Sequence, residues 1–412
     1  MQKNIKNIIP FLLVLSIPFS NYYIDFGFAI KPFMISTLIA LIVYAKSIKD
    51  SFKDFKIMDF FANMNKFEKT YLLFIILFCS TILVAKYKIV SLRLILGLII
   101  VVIAYSVYKF VLKRVSRDQI TRYIYLTGII FNILSLALYI LGIISVNFNF
   151  HGNQFSVFGL MLDRNVPRLI GVLSDPNFFA FYNLIFISTF LFCKKEKYRL
   201  LWLTISIGNS ILTISRSGFM ALIVLFVTLA YFKIKEQKGI TLKNKKNILY
   251  IIICIISITV LVSLIFDFNP FIILINRFFT KDGGSGRLGL ISNGLEMLKG
   301  SNYVGIGIFN FRPLNIELFN KTHYMHNTLM EVLVEGGPLI FGIYVYSLYI
   351  LTKMCGIICK EQKSQAYICI AFFSSIIMLV TLSMLINEMF LLIVVVINIF
   401  YEKSILDLSR NT

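Results

Sequence analysis

Histidine occurs three times in this chain of 412 residues, and two of the three, His323 and His326, share one segment, THYMHNTLMEVLVEGG. An imidazole with its ordinary pKa near 6.5 can take a proton from a hydroxyl at neutral pH. Leu329, Val332 and Leu333 mark a helix after His326 that ends at Gly336–Gly337, with Asn327 or Thr328 as its cap. His323 and His326 do not form HExxH, and no Cys or carboxylate completes a ligand set, so no metal site is expected. Glu331 and Glu335 are i, i+4 neighbours expected to orient Arg or Lys partners. The competing reading of His326 is an imidazole satisfied by backbone groups.

Three arginines stand beside this histidine as candidates for holding an anion. Arg216 lies in ILTISRSGFMALIVL, between two apolar runs, where Ser215, Ser217 and Gly218 leave room for a head group. Its alternative is an interfacial side chain that snorkels. Arg287, in KDGGSGRLGLISNGLEMLKG, follows a glycine lead-in and opens a helical pattern, where N–H groups and a guanidinium fork suit phosphate oxygens. GxxxxGK[ST] is absent, so this is no P-loop. Arg168 belongs to LDRNVPRLIGVLSDPNFFAFYNL, with Asp163, Arg164 and Asp175 nearby. Asp175 followed by Pro176 and Asn177 reads as a helix N-cap.

The elements that must position these residues are membrane spans. The chain is 58% hydrophobic, against about 45–50% in ordinary soluble domains. Apolar runs recur at 8–20, 27–46, 70–85, 89–110, 120–145, 176–192, 199–214, 218–233, 248–266, 337–353, 364–384 and 388–401. Runs near twenty residues cross a hydrocarbon core of about 30 Å as helices, and the runs do not alternate as barrel strands would. The expected fold is an all-α polytopic membrane protein of about twelve spans, one membrane domain over 1–412. The first run follows Lys3 and Lys6 but lacks a convincing cleavage site, so it reads as an uncleaved span. Residues 47–69 mix Lys with Phe and Ile at helical spacing and read as an interfacial helix. The six cysteines lie in or beside spans with no CxxC, as small apolar residues.

A net charge of +21 would point to nucleic acid in a soluble protein. Here the Lys clusters fall in alternate loops, 46–69, 113–122, 194–199, 233–246 and 353–363, which is the positive-inside pattern. Nucleic acid is excluded as a partner, and both termini are expected in the cytoplasm. The segment 267–336 is then expected outside, away from ATP. No DxD-like pair lies in an outward loop to hold a divalent cation, and no cofactor is expected. Outward arginines with one histidine suit metal-independent glycosyl transfer from a lipid pyrophosphate.

Four segments, PRLIGVLSDPNFFAFY, TISRSG, SGRLGLISNGLEML…VGIGIFNF and HNTLMEVLVEGGPLIFG, make the chain resemble the O-antigen ligase and Wzy-type polymerase superfamily of bacterial envelope polysaccharide synthesis. The last segment is the most specific, and the N-terminal third offers only matching hydropathy. The resemblance implies a glycosyltransferase of the bacterial inner membrane with an undecaprenyl-pyrophosphate-linked glycan as donor. It also implies that Arg216, Arg287 and His326 are the functional trio, with Arg168, Asn327 and His323 toward the diphosphate or glycan. Partners implied are a glycan acceptor, membrane lipid, a chain-length regulator and a flippase. Polymerisation of repeat units is the favoured activity; ligation to lipid A core is its alternative. A flippase or other transporter would need ionisable residues deep in spans and internal repeats, and only Lys31 and Arg93 offer themselves. A SEDS-type cell-wall polymerase would need an outward Asp, which Asp163 or Asp175 supplies only weakly.

Overall fold

The computed structural model describes residues 2–26, 28–51, 61–152, 155–236 and 286–411. The described helices are α1 (Gln2–Ser16), α2 (Pro32–Ser51), α3 (Lys66–Ser80), α4 (Lys88–Leu112), α5 (Arg117–Ser145), α6 (Pro176–Phe192) and α7 (Arg199–Leu212). They continue as α8 (Arg216–Glu236), α9 (Arg287–Gly300), α10 (Phe311–Phe319), α11 (Thr328–Glu361), α12 (Ala366–Leu379) and α13 (Glu388–Asn411). Among the described residues, five helices, α2, α4, α5, α11 and α13, are long and apolar enough to cross a membrane. Shorter apolar helices cover 8–19, 176–192, 199–212, 216–231 and 363–379. Every expected span that falls on described residues lies on a helix; the one at 248–266 and most of the expected interfacial helix at 47–69 lie outside them. The protein is therefore predominantly helical and built for a membrane, without the count of twelve being established.

Local sequence explains where several helices begin. Asn65 opens α3 with a capping box: its side chain accepts from the Glu68 N–H at 3.0 Å, and the Glu68 carboxylate accepts from the Asn65 N–H at 3.0 Å. Ser116 and Gln119 do the same for α5. Helices α6 and α12 are buried on nearly every side, Phe179 to Phe190 and Ala366 to Phe372, as expected of elements with no polar face. By contrast α2 and α4 present rows such as Leu38 and Ile42, or Leu92, Leu96 and Ile103, outward, which suits lipid.

Buried polar side chains lock the interior. Asn132 of α5 donates to Asn183 of α6 at 2.9 Å, Asn183 donates to the Ser206 carbonyl at 2.7 Å, and Asn209 of α7 donates back to Asn132 at 3.0 Å. Every amide in this set has a partner, so the network specifies which helices meet. At one end of the bundle, basic residues join α4, α5 and α13: Lys113 pairs with Glu402 at 2.8 Å and Arg117 with Asp407 at 2.7 Å. At the other end Glu388, at the start of α13 and 3% exposed, pairs with Lys31 and accepts from the Tyr182 hydroxyl at 3.1 Å.

Among the described residues, two small antiparallel sheets of very short strands accompany the helices. Strands β1 (Ile24–Asp25) and β2 (Ala29–Ile30) form a ribbon. Strands β3 (Phe155–Val157), β4 (Leu160–Asp163) and β5 (Val166–Leu169) form a sheet in that order. The turn between β4 and β5 puts Arg164 and Asn165 at φ +55° and +59°, the two-residue turn that matches strand twist. Strands of two to four residues are too short to show a period in sequence. The sheet matters because Arg168 sits on β5, opposite Met161.

The start of α8 packs tightly on α6. A Cβ on Gly218 would lie 2.4 Å from the Ala180 Cβ, a distance real atoms do not adopt. Gly218→Val is expected to destabilise the protein by about 1–3 kcal/mol through overpacking, read as a lowered midpoint in thermal unfolding of the detergent-solubilised protein. A midpoint equal to that of the unaltered protein would contradict the close approach of α6 and α8.

Candidate functional site

The site forms where four helices begin. Asp175 caps α6, its side chain accepting from the N–H groups of Asn177 at 2.7 Å and Phe178 at 3.1 Å, with Pro176 in the first turn. Asn177 then accepts from the Ser215 hydroxyl at 2.7 Å, which ties the start of α6 to the turn before α8. Ser215 also accepts from the Gly218 N–H at 3.0 Å and so caps α8. Arg216 is the first residue of α8, and Arg287 is the first residue of α9, preceded by Gly286 in the left-handed region. Gly286, the residue at the N-cap of α9, has no side chain with which to cap it.

Arg168 holds the turn that delivers Arg216. Its Nε donates to the Thr213 carbonyl at 3.0 Å, and its guanidinium pairs with Asp163 at 3.1 Å. The Thr213 hydroxyl oxygen accepts from the Ser215 N–H at 3.2 Å, and between them Ile214 adopts φ +49°. A β-branched residue rarely takes that conformation, so the turn is imposed by the contacts around it. Arg168 is buried, 8% exposed.

His326 precedes α11 and is half-buried at φ +50°. Its neighbours on both sides are fixed. The buried Met325 packs where Gly294 leaves no Cβ, which would lie 2.5 Å from the Met325 Cε. Asn327 caps α11 by accepting from the Met330 N–H at 3.1 Å. Thr328 donates its N–H and its hydroxyl to the Leu382 carbonyl at 3.0 and 2.6 Å, and its hydroxyl oxygen accepts from the Met384 N–H at 2.9 Å. The imidazole meets the Tyr324 ring edge to face, centroids 6.4 Å apart. Tyr324 is itself stacked on Phe309 at 5.9 Å and takes a hydrogen bond at 2.9 Å from Arg312, whose guanidinium lies 4.7 Å over its ring.

The charges of these groups reach one another. Burial lowers the His326 pKa from its ordinary value, the positive Arg287 lowers it further, and Asp175 opposes them. Burial also lowers the Arg287 pKa, with Arg216 acting in the same direction and Asp175 against it. Arg216, Arg287, Asp175 and His326 therefore share one electrostatic neighbourhood, although they lie 39 to 151 positions apart in sequence. His323 is exposed and contributes a small lowering of the His326 pKa.

Two carboxylates differ from expectation. Among the described residues Glu335 pairs with no Arg or Lys; its oxygens accept from the Phe309 N–H at 2.7 Å and the Phe311 N–H at 3.1 Å, where α10 begins. Ile306 and Gly307 donate to the carbonyls of Val334 and Glu335 at 3.1 and 3.0 Å, and the helix breaks at Gly337, φ +78°. Glu331 accepts from the Ser383 hydroxyl. Glu335 thus serves the backbone where α10 begins, and Glu331 ties α11 to Ser383. Sequence reasoning also passed over the Tyr324–Arg312 pair, whose only signal was an aromatic residue two places before His326.

Asn327→Ala is expected to cost about 1 kcal/mol of stability, the usual loss on removing such a cap, read as a lowered midpoint in thermal unfolding of the detergent-solubilised protein. An unchanged midpoint would show that Asn327 does not cap α11 in solution.

Two guanidinium groups at helix starts and a half-buried imidazole thus lie within electrostatic reach of one another. Residues 200–347 match a family model described as O-antigen ligase. The match spans Arg216, Arg287 and His326 and bears out the resemblance of this chain to the O-antigen ligase and Wzy-type superfamily. Activity of the O-antigen ligase or polymerase type goes with that family. A comparison with curated proteins finds no match.

Proposed function

We propose that the protein polymerises glycan repeat units carried on undecaprenyl pyrophosphate, at the outer face of the bacterial cytoplasmic membrane. The observation that carries the proposal is the convergence of Arg216, Arg287, Asp175 and His326 at the starts of α6, α8, α9 and α11. In this reading the basic end, with Lys113 and Arg117, faces the cytoplasm, as the positive-inside rule asks. Both termini lie there, and 267–336 is the outward loop.

The chemistry is one displacement. The His326 imidazole takes the proton from an acceptor sugar hydroxyl. The acceptor oxygen forms a bond to the anomeric carbon of the donor as the bond from that carbon to the diphosphate oxygen breaks. The electron pair leaves with the diphosphate, and Arg216, Arg287 and the first N–H groups of α9 stabilise the charge that grows there. Attack opposite the leaving group inverts the anomeric centre. Arg168 keeps the turn at Thr213–Ser215 in shape, and His323 lies on the exposed approach to His326. No step calls for a metal ion.

Ligation of glycan to lipid A core is the second reading, supported by the description of the matched family. Surface polysaccharide from a deletion strain, resolved by gel electrophoresis, separates the two. Single-repeat products with no ladder support polymerisation. Lipid-linked polymer with bare core supports ligation, and an unchanged ladder overturns both.

A further inference from the structure

A cavity of about 570 Å³ lies away from the site, walled by α3, α4 and α13. Its walls are apolar, with Leu72 and Ile75 of α3, Val101 and Val102 of α4, and Leu391 and Val394 of α13. Its charged side chains gather at one place. Lys109 bridges Glu68, at 2.6 Å, and Glu402, and Lys113 adds a second bond to Glu402 at 2.8 Å. The Tyr105 hydroxyl donates to Glu68 at 2.6 Å. Those residues belong to the basic end of the bundle, opposite the helix starts that carry Arg216 and His326.

Length and charge together define the occupant. The lining runs from Asn387, just before α13, along that helix to Glu402, about 22 Å at 1.5 Å per residue, short of a hydrocarbon core of about 30 Å. The groove thus fits a chain from a single leaflet rather than one crossing the bilayer. Its rim carries two ammonium groups and two carboxylates, Lys109, Lys113, Glu68 and Glu402. A rim without net charge suits a head group bearing both signs, and a diphosphate would find a carboxylate beside each cation. The Lys113 side chain is 51% exposed and keeps donors for a phosphate, while Glu402 can accept from an ammonium.

We infer that this groove is a binding site for one acyl chain of a zwitterionic glycerophospholipid, with its phosphate on Lys113 and its ammonium on Glu402. The lipid is distinct from the glycan donor, whose diphosphate is drawn to the opposite end of the bundle. It would fill the space between α3 and α4 and so brace α3, which packs along α11 behind His326.

The full-length protein, purified in mild detergent, stripped of lipid and incubated separately with phosphatidylethanolamine, phosphatidylglycerol or undecaprenyl phosphate, tests this by native mass spectrometry. The expected result is one retained phosphatidylethanolamine, with phosphatidylglycerol and undecaprenyl phosphate each held at least several-fold more weakly. Ile75→Trp and Val102→Trp narrow the groove and are expected to reduce retention at least tenfold in protein that still elutes as a single species. Lys113→Gln leaves the walls intact and is expected to reduce retention severalfold. Absence of a retained lipid, equal retention in all three variants, or preference for either of the other lipids would overturn the assignment.

Discussion

His326→Ala is expected to lower the proposed polymer formation roughly a thousandfold, within the range set by losing a positioned general base, and to leave the protein folded in the membrane. The imidazole sits between two fixed points, the buried Met325 and the stitched Thr328, so the variant removes a ring without loosening the loop that carried it. His326→Gln is expected to fail as well, because an amide cannot accept a proton at neutral pH. The pH profile gives an independent reading. A base must be unprotonated to act, and burial with Arg287 nearby lowers the His326 pKa. The acid limb of the rate profile should therefore fall below pH 6.5, the ordinary imidazole value, and activity should persist as pH drops to that limb. Asp175 acts in the opposite direction on His326. Asp175→Asn keeps a capping side chain on α6 and should move the acid limb lower still. Normal long-chain polysaccharide from His326→Ala, measured on gels from a complemented deletion strain, would sink the base assignment.

The residues named in that test were legible in the sequence for specific reasons. His326 stood out because histidine is scarce and because an apolar helical pattern follows it directly. The Asp175–Pro176 pair announced a helix start, and α6 begins there. Arg287 was readable as a first-turn residue because a glycine cluster precedes a periodic run, and Gly286 indeed turns left-handed before α9. What the sequence did not disclose is long-range. Arg168 looked like one more cation for a diphosphate, yet its guanidinium meets the Thr213 carbonyl and Asp163 across a three-stranded sheet too short to leave a period. Glu335 looked like an ion-pair partner because a carboxylate on a helix usually finds a cation; its actual partners are two backbone N–H groups, which carry no sequence signature. Spacing along a chain locates groups on helices, whereas the choice of partner depends on which helix ends meet.

Arg216→Ala is expected to reduce turnover by about 10²–10³, the cost of removing one preorganised donor from a developing anion. The argument rests on where the charge appears. In the ground state the diphosphate already carries negative charge, but the oxygen that leaves gains more as its bond to the anomeric carbon breaks. In the proposed mechanism the guanidinium carried by the first residue of α8 meets that added charge. The turnover number should accordingly fall more than the apparent substrate affinity. Arg216→Lys should recover only part of the loss, because an ammonium lacks the fork that spans two phosphate oxygens. Stability should change little in either variant, since α8 is capped by Ser215 through the Gly218 N–H and not by Arg216. A second signature concerns Arg287, which stays cationic in that variant. If Arg287 binds the donor as proposed, a non-hydrolysable lipid diphosphate should still be retained by the membrane protein. Transfer by Arg216→Ala at the rate of the unaltered protein, measured with purified enzyme and a lipid-linked repeat unit, would remove Arg216 from the reaction and leave it as an interfacial side chain.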